Sequence, residues 1–386
     1  MLEQLKQTFI ETFGSINEVQ IFFAPGRVNL IGEHTDYNGG HVFPCALSIG
    51  TYAIARKRND RKIRLYSMNY AEASVIEVDL NDLSFDDAHG WANYPIGVVW
   101  TFLQSNYSIT TGFEVAFYGN IPNGAGLSSS ASIELATSIV LKELFEFDIE
   151  KLDMIKLSQK AENEFVGVTC GIMDQFAIGM GKKDHAILLN CDTLEYVYSP
   201  ILLEEYAMII ADTNKRRGLT DSKYNERRKQ CEEALKTLKR ELDIETLADL
   251  TKDDFEKHRL LIEDPIIQKR AKHVVYENRR TIEAVEKLNR NDINGFGRLM
   301  NESHRSLRDD YEVSCKELDV LVKAAWNEDV IGSRMTGAGF GGCTINIVAR
   351  GRVDSFIERV GSAYRELTGL DADFYVVEIG DGVTTL

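Results

Sequence analysis

The sequence predicts an α+β fold made of two domains, and three observations support this prediction. The chain has 386 residues, which at about 150 residues per domain is enough for two domains. Strand-like and helix-like patterns are mixed along it, without the regular alternation of a parallel α/β fold. A polar turn at Ser199 and Pro200 lies near the middle of the chain. We therefore expect an N-terminal domain over residues 1–199 and a C-terminal domain over residues 200–386.

The first half of the chain is expected to hold strands first and helices later. Runs of β-branched and aromatic residues predict strands at residues 21–23, 52–55, 63–66 and 113–117. Apolar residues at helical spacing then predict a helix from near Leu127 to about Phe145. A second helical pattern starts at Leu152 and leads into an acidic turn at Glu162 and Glu164.

The second half is expected to be richer in helix. Residues 221–241 and 266–290 are long, charged and nearly free of glycine, which is typical of amphipathic helices with solvated outer faces. A further helix is predicted around residues 318–325, where apolar residues recur at helical spacing. A strand over 343–348, a helix over 352–367 and a strand over 374–378 complete the prediction.

The charge and hydropathy of the chain argue against nucleic-acid and membrane partners. Acidic residues outnumber basic ones by 60 to 44, which gives a net charge of -16. Nucleic-acid and anionic-membrane partners are therefore not expected, because phosphate backbones favour clustered Lys and Arg. No run of 18 apolar residues is present to span a membrane, and no apolar stretch of signal-peptide length opens the sequence. We expect a cytoplasmic protein and a monomer, with most of the six scattered cysteines acting as small buried hydrophobes.

Residues 119–132 carry the pattern of a phosphate-binding loop. Gly124 and Gly126 allow a tight turn close to a ligand, and Ser128, Ser129 and Ser130 follow at the start of the predicted helix. The first N–H groups of a helix have no helical partner and attract anions. A serine-rich helix cap is the plainer alternative. The loop is not a Walker A motif, because Ala125 stands where that motif has its Lys.

A second polar segment lies near the N-terminus, at residues 24–40. Glu33, His34 and Asp36 place donors and acceptors within four positions, in a stretch too rich in glycine for regular structure. Metal ligation is one interpretation, but the spacing is poor for an all-protein zinc site. A loop that binds hydroxyl groups fits better, because carboxylates accept hydrogen bonds from sugar hydroxyls. A solvated polar turn is the third alternative.

A third glycine-containing segment, residues 337–342, matches GxGxxG letter for letter. In a dinucleotide-binding fold this motif follows a strand and opens a helix. Here a strand-like run follows it instead, so a glycine turn of the hairpin kind fits better. A nucleotide-dependent dehydrogenase is therefore a weak alternative.

Together these segments resemble the motifs of a known family. The segment that begins at Gly26 resembles the galactokinase signature GRxNLIGEHxDYxxG, and residues 122–132 are similar to the PxxxGLSSSAS phosphate loop of GHMP small-molecule kinases. Residues 336–342 resemble the third motif of those kinases. The three occur in the family's order and span the chain. The resemblance implies a two-domain fold with the active site in the cleft between the domains.

The resemblance also implies a role for individual residues of this sequence. Asp174 corresponds to the carboxylate that faces the attacking sugar hydroxyl, as a base or as an orienting group, and Arg27 corresponds to the cation beside it. Ser130 and Glu162 correspond to ligands of a Mg²⁺ cofactor. The implied sugar-binding positions are Glu33, His34, Thr35, Asp36, Gly171 and Tyr224. The implied ATP-binding positions are Ser67, Gly124, Ala125, Gly126, Leu127, Ser128, Ser129 and Ser130.

The implied reaction is transfer of the γ-phosphoryl group of ATP to the anomeric hydroxyl of D-galactose, the first committed step of galactose catabolism. Two alternatives stay open from the sequence. One is a kinase of the same family with a different acceptor, such as N-acetylgalactosamine. The other is a sensor that binds galactose and ATP without turnover; such relatives depart within the Ser-Ala stretch of the phosphate loop, which is intact here at residues 128–132.

Overall fold

The computed structural model describes residues 1–122, 125–215 and 220–386. Helices and strands are mixed along the chain. The helices of the described part are α1 (Leu2–Phe13), α2 (Asn93–Gln104), α3 (Ser129–Phe145), α4 (Lys151–Lys160), α5 (Met173–Met180), α6 (Thr220–Leu238), α7 (Lys252–His258), α8 (Pro265–Asn289), α9 (Ile293–Asp309), α10 (Lys316–Trp326) and α11 (Val353–Thr368). Within this part of the chain, no helix is both long and apolar enough to cross a membrane.

The described part of the chain also holds thirteen strands and several short 3-10 or π-helical segments. The strands are β1 (Gln20–Asn29), β2 (His41–Val42), β3 (Pro44–Lys57), β4 (Lys62–Ser67), β5 (Ile76–Asp79), β6 (Phe113–Gly119), β7 (His185–Asn190), β8 (Tyr196–Pro200), β9 (Tyr206–Asp212), β10 (Gly332–Met335), β11 (Cys343–Ala349), β12 (Asp373–Val377) and β13 (Thr384–Thr385). The α+β class is confirmed.

Three sheets organise these strands. A six-stranded sheet has the order β13-β1-β3-β6-β4-β5, a four-stranded sheet has the order β10-β11-β9-β12, and a three-stranded sheet has the order β2-β7-β8. All neighbouring strands pair antiparallel except β4 and β6. Ser199 and Pro200 do not form the predicted polar turn, because they lie at the end of strand β8. The domain boundary predicted at residue 199 stays a prediction.

The largest apolar cluster lies between the six-stranded sheet and the helices that cover it. Ala53 and Val115 come from the sheet, and Val98 and Leu135 come from α2 and α3; all four side chains are buried. A second cluster joins the sequence around β1 and β3 to the four-stranded sheet, through residues such as Val28 and Ile345. Helix α3 packs on β1 and β3, and its N-terminal end is held beside β1, where the N–H of Arg27 donates to the carbonyl oxygen of Leu127.

The third glycine segment forms the turn predicted from the sequence. Strands β10 and β11 pair antiparallel, with Met335 opposite Thr344, and residues 336–342 connect them. The interpretation as a dinucleotide fingerprint is thus wrong, because that fingerprint needs a helix after the glycines.

Two further local expectations differ from the structure. Helix α3 begins at Ser129 rather than near Leu127, because Ser128 has a left-handed backbone with φ of 59°. Glu162 and Glu164 lie in a π-helical segment, Ala161–Val166, that continues α4 instead of forming a turn.

Helix α9 was not predicted, because Gly295 and Gly297 interrupt its apolar pattern. A Cβ at Gly297 would lie 1.8 Å from the carbonyl oxygen of Ile331, so glycine is required there for close packing.

Candidate active site

Arg27 and Asp174 meet at the centre of the site, as the resemblance implies. Arg27 Nε donates to Asp174 Oδ1 at 2.7 Å and Nη2 donates to Oδ2 at 2.8 Å. Arg27 is 4% exposed. Burial works against its charge, but the adjacent Asp174 carboxylate outweighs burial and raises the pKa of Arg27. The guanidinium therefore stays charged, and it holds the carboxylate in a fixed orientation.

Local structure explains why these two side chains meet. Arg27 lies near the end of β1, after an irregularity in its pairing with β3 between Pro25 and Arg27. Asp174 lies in the first turn of α5, where a helix favours a negative charge. Arg27 also binds the phosphate segment, since its Nη1 donates to the carbonyl oxygen of Gly126 at 2.8 Å. The hydroxyl of Ser128 donates to Asp174 Oδ2 from the other side.

Glu33 joins the first segment to the third. The backbone N–H of Gly337 donates to Glu33 Oε2 at 3.2 Å, and Arg334 Nη2 lies 3.7 Å from Oε1. Burial raises the pKa of the Glu33 carboxyl, an effect that Arg334 and Arg27 only partly offset. Glu33 is thus a buried acceptor, and its orientation is set by the turn between β10 and β11.

His34 and Tyr224 form an aromatic wall beside this carboxylate. The ring of His34 lies 5.7 Å from that of Tyr224 between centroids, and its Nδ1 lies 2.8 Å from the hydroxyl of Tyr37. Burial, together with the nearby His273, lowers the pKa of His34 to about 3. His34 is therefore neutral at ordinary pH, and it can donate through one ring nitrogen while accepting through the other.

Asp36 and Gly171 are in close contact. A Cβ on Gly171 would lie 2.0 Å from Asp36 Oδ2, so glycine leaves the space that this carboxylate occupies. Burial and the charge of Asp174 raise the pKa of Asp36 to about 7.

These residues enclose a cavity of about 270 Å³, which we call the acceptor cavity. The predicted residues that line it are Arg27, Glu33, His34, Asp36, Glu162, Gly171, Asp174 and Tyr224. Thr35, also predicted to bind sugar, lies outside this lining. Its hydroxyl lies 2.8 Å from the carbonyl oxygen of Gly32 and 2.7 Å from that of His41. Thr35 therefore holds the two ends of the loop between Gly32 and His41 together.

A larger cavity of about 600 Å³ lies on the other side of the phosphate segment, and we call it the nucleotide cavity. The predicted residues Ser67, Ser129 and Ser130 line it. Two aromatic rings line it as well: those of Tyr70 and Trp91 are nearly parallel, at 11°, with centroids 6.4 Å apart.

Of the other predicted phosphate-segment residues, those that the structure describes (Ala125, Gly126, Leu127 and Ser128) are absent from the lining of both cavities. Ala125 and Leu127 are buried, and the carbonyl oxygen of Leu127 accepts from the backbone N–H of Arg27 at 3.2 Å. Gly126 has a left-handed backbone with φ of 76°. The predicted residue Gly124 lies outside the described part of the chain.

Ser130 and Glu162 connect the two cavities. Ser130 lines the nucleotide cavity and Glu162 lines the acceptor cavity, and the nearby Ser130 hydroxyl favours the ionised form of the Glu162 carboxyl. Burial and the charge of Asp174 raise the pKa of Glu162 to about 7. The pair fits a Mg²⁺ ion, because its donors are hard oxygen atoms. A cation there would also offset the repulsion between the buried Glu162 carboxylate and the partly exposed Asp174 carboxylate.

Sequence reasoning missed several residues that shape the site. Arg334 was not predicted, although it lies in strand β10 directly before the third motif. Trp91 and Tyr70 carried no signal, since isolated aromatic residues are usually core. Gln175 follows Asp174 directly, and Glu134 lies one helical turn after Ser130, so spacing from the predicted residues was the signal for both.

The fold and the site together define the class of the protein. Residues 93–182 match the GHMP kinases N terminal domain and residues 284–366 match the GHMP kinases C terminal. The structure is similar to that of Methanococcus jannaschii mevalonate kinase, with a TM-score of 0.67 at 20% identity over 95% of this chain and 99% of that one. The protein is a small-molecule kinase of the GHMP class.

A narrower family is defined by residues 7–57, which match the galactokinase galactose-binding signature. The chain is 58% identical to the galactokinase of Fusobacterium nucleatum subsp. nucleatum, over 99% of both sequences. It is 56% identical to that of Bacillus subtilis, over 100% of this chain and 99% of the relative. The crystal structure of Lactococcus lactis galactokinase complexed with galactose superposes with a TM-score of 0.98 at 48% identity, over all of both chains. The chain belongs to the galactokinase family.

Proposed function

We propose that this protein transfers the γ-phosphoryl group of ATP to the anomeric hydroxyl of α-D-galactose, giving galactose 1-phosphate and ADP. The observation that carries the proposal is the position of the Arg27–Asp174 pair. It lines the acceptor cavity, and Arg27 also bonds the carbonyl oxygen of Gly126 in the phosphate segment. A reacting hydroxyl and a phosphoryl group can therefore meet at the same carboxylate.

The acceptor cavity suits a hexose by its chemistry. Glu33 and Asp36 offer carboxylate oxygens to hydroxyl groups, and neutral His34 can both donate and accept. Tyr224 adds an aromatic surface against which the apolar face of a sugar can pack. The relative from Lactococcus lactis, whose crystal structure is complexed with galactose, supports galactose as the occupant.

Asp174 is proposed to orient the anomeric hydroxyl and to accept its proton as the bond to phosphorus forms. Such a transfer passes through a loose transition state in which positioning and electrostatics dominate. Arg27 keeps the carboxylate in place and adds positive charge near the phosphoryl oxygens. The N–H groups at the start of α3 offer hydrogen bonds to the phosphates.

The nucleotide is proposed to lie in the nucleotide cavity, with its phosphates directed to Ser129 and Ser130. When bound, Mg²⁺ neutralises charge that develops on the phosphate oxygens. Ser130 and Glu162 are the residues proposed to hold it. We propose a cytoplasmic location, which the use of ATP supports.

The experiment that tests the function is a panel of hexoses with ADP release as the readout. We expect ADP release that depends on galactose, and a product whose phosphate lies on carbon 1 by nuclear magnetic resonance. If turnover is faster with N-acetylgalactosamine than with galactose, the acceptor in the proposal becomes N-acetylgalactosamine. Binding of galactose and ATP without ADP release would favour the sensor alternative.

A further inference from the structure

A pair of buried residues next to the proposed metal site has no role in the mechanism above. Gln175 and Glu134 are both 0% exposed. Gln175 Nε2 donates to Glu162 Oε2 at 2.7 Å and to Glu134 Oε2 at 3.0 Å. A side-chain amide nitrogen carries two hydrogens, and each of them here meets a carboxylate. The two neighbouring carboxylates therefore fix the orientation of the amide.

The elements that carry these residues are those that carry the reacting groups. Glu134 lies four residues after Ser130 in α3, on the same helical face. Gln175 follows Asp174 in α5. One dipeptide thus presents a carboxylate to Arg27 and an amide to Glu162.

A purely structural role explains this arrangement poorly. Glu134 Oε1 and Gln175 Oε1 are both buried and have no hydrogen-bond partner among the described residues. Unpaired buried polar atoms cost free energy, so an apolar pair would fill the same space with less penalty. Burial, with the nearby Glu162 carboxylate, raises the pKa of Glu134 well above its usual value. The arrangement therefore lowers the stability of the folded protein. What it provides is a hydrogen bond that fixes one carboxylate oxygen of Glu162.

We propose that Gln175 and Glu134 are positioning residues, which hold the Glu162 carboxylate in the orientation that binds the Mg²⁺ of Mg·ATP. This inference rests on the proposed function, because Ser130 and Glu162 are the metal ligands only there. Outer groups of this kind orient metal ligands in many sites, and their loss costs roughly 10–100-fold in metal affinity.

The test measures binding of a non-hydrolysable ATP analogue by calorimetry, with and without Mg²⁺. Gln175→Met keeps the length of the side chain and removes both hydrogen bonds. We expect it to reduce the Mg²⁺-dependent gain in affinity by about tenfold or more, with the Mg²⁺-free affinity and the affinity for galactose unchanged. A general disturbance of the fold would change all three quantities.

Two substitutions of Glu134 supply a second comparison, because one keeps the hydrogen-bond acceptor and the other removes it. In Glu134→Gln the new amide oxygen can still accept from Gln175, so the Mg²⁺-dependent gain should be retained. In Glu134→Met that acceptor is gone, and the gain should fall as it does in Gln175→Met. This comparison decides the matter if Gln175→Met does not fold. Glu143→Gln, on the same helix but away from both cavities, serves as the matched control.

Glu162→Gln separates this inference from the proposed function. If Glu162→Gln keeps the Mg²⁺-dependent gain, the proposed metal site itself is wrong. If Glu162→Gln loses the gain while Gln175→Met and Glu134→Met keep it, the metal site stands and the positioning role is overturned.

Discussion

Arg27 and Asp174 are joined by two parallel hydrogen bonds of 2.7 and 2.8 Å, although they lie on a strand and a helix that are 147 residues apart in sequence. Ser128 adds a third hydrogen bond to the same carboxylate. An ionised carboxylate has about four acceptor positions, so capacity remains for the hydroxyl of an acceptor. The carboxylate is thus already oriented before any substrate binds, which reduces the ordering that the reaction requires.

Asp174→Asn should abolish proton acceptance while preserving the size of the side chain. We expect turnover to fall by about 10²–10⁴-fold, the usual contribution of a general base, with a much smaller change in the KM for galactose. Steady-state ADP release measures both. Asp192→Asn, an exposed position, is the control. Near-native turnover in Asp174→Asn would remove the proton-accepting role.

Arg27→Ala should reduce turnover more than it reduces ATP affinity. The guanidinium orients Asp174 and contacts the phosphate segment through the carbonyl oxygen of Gly126, so its charge matters most when the phosphoryl group moves. Turnover and the dissociation constant of ATP are compared in the same preparation. An equal loss in both would mean that Arg27 only binds the nucleotide.

Ser128→Ala isolates the third hydrogen bond to Asp174. A hydrogen bond to a charged acceptor contributes about 1.5–3 kcal/mol, but the two bonds from Arg27 remain. We therefore expect a loss of about tenfold in turnover, with the KM for ATP unchanged. A rise in the KM for ATP instead would show that the hydroxyl serves the phosphates, as the phosphate-loop pattern suggests.

The pH dependence of galactose binding should report Asp36. Its pKa of about 7 in the ligand-free protein means that the carboxyl is largely protonated below that pH. A sugar hydroxyl favours the ionised acceptor, so galactose binding should release a proton and weaken by up to about tenfold per pH unit below 7. Glu162 lines the same cavity and also has a pKa raised to about 7, so binding is measured in Glu162→Gln as well, where the pH dependence from Asp36 should be retained. Asp36→Asn should bind more weakly and lose this pH dependence.

The sequence predicts the residues of the site more completely than it predicts the fold around them. Arg27, Glu33 and Asp174 were placed by motifs, and the structure brings them together around one cavity. Helix α9 was missed because tertiary packing against Ile331, invisible in the sequence, decides that Gly297 belongs in a helix.

The partners that orient the site residues were missed for a similar reason. Gln175 and Glu134 are 41 residues apart, and no local pattern shows that the amide nitrogen of Gln175 donates to the carboxyl group of Glu134. Motifs identify the residues that contact a ligand. The residues that orient those ligand-contacting residues cannot be identified in this way, because their positions are set by how distant elements pack.

Gly171→Ala tests the contact between this glycine and Asp36. A Cβ there would lie 2.0 Å from Asp36 Oδ2, so the carboxylate has to move. We expect a higher KM for galactose, with the thermal unfolding temperature changed little because Asp36 lines an open cavity. Gly351→Ala is the matched control, since a Cβ at Gly351 would meet nothing within 4 Å. An unchanged KM in Gly171→Ala would place the sugar away from Asp36.

Trp91→Ala tests where the nucleotide base lies. The rings of Trp91 and Tyr70 are 6.4 Å apart between centroids and only 11° from parallel, and both line the nucleotide cavity. Loss of base stacking on an aromatic ring costs about 1–3 kcal/mol, so we expect the KM for ATP to rise by about tenfold while that for galactose is unchanged. Trp91→Phe should restore most of the affinity, because it keeps an aromatic face. If Trp91→Ala leaves the KM for ATP unaltered, the base binds elsewhere in the nucleotide cavity, away from these two rings.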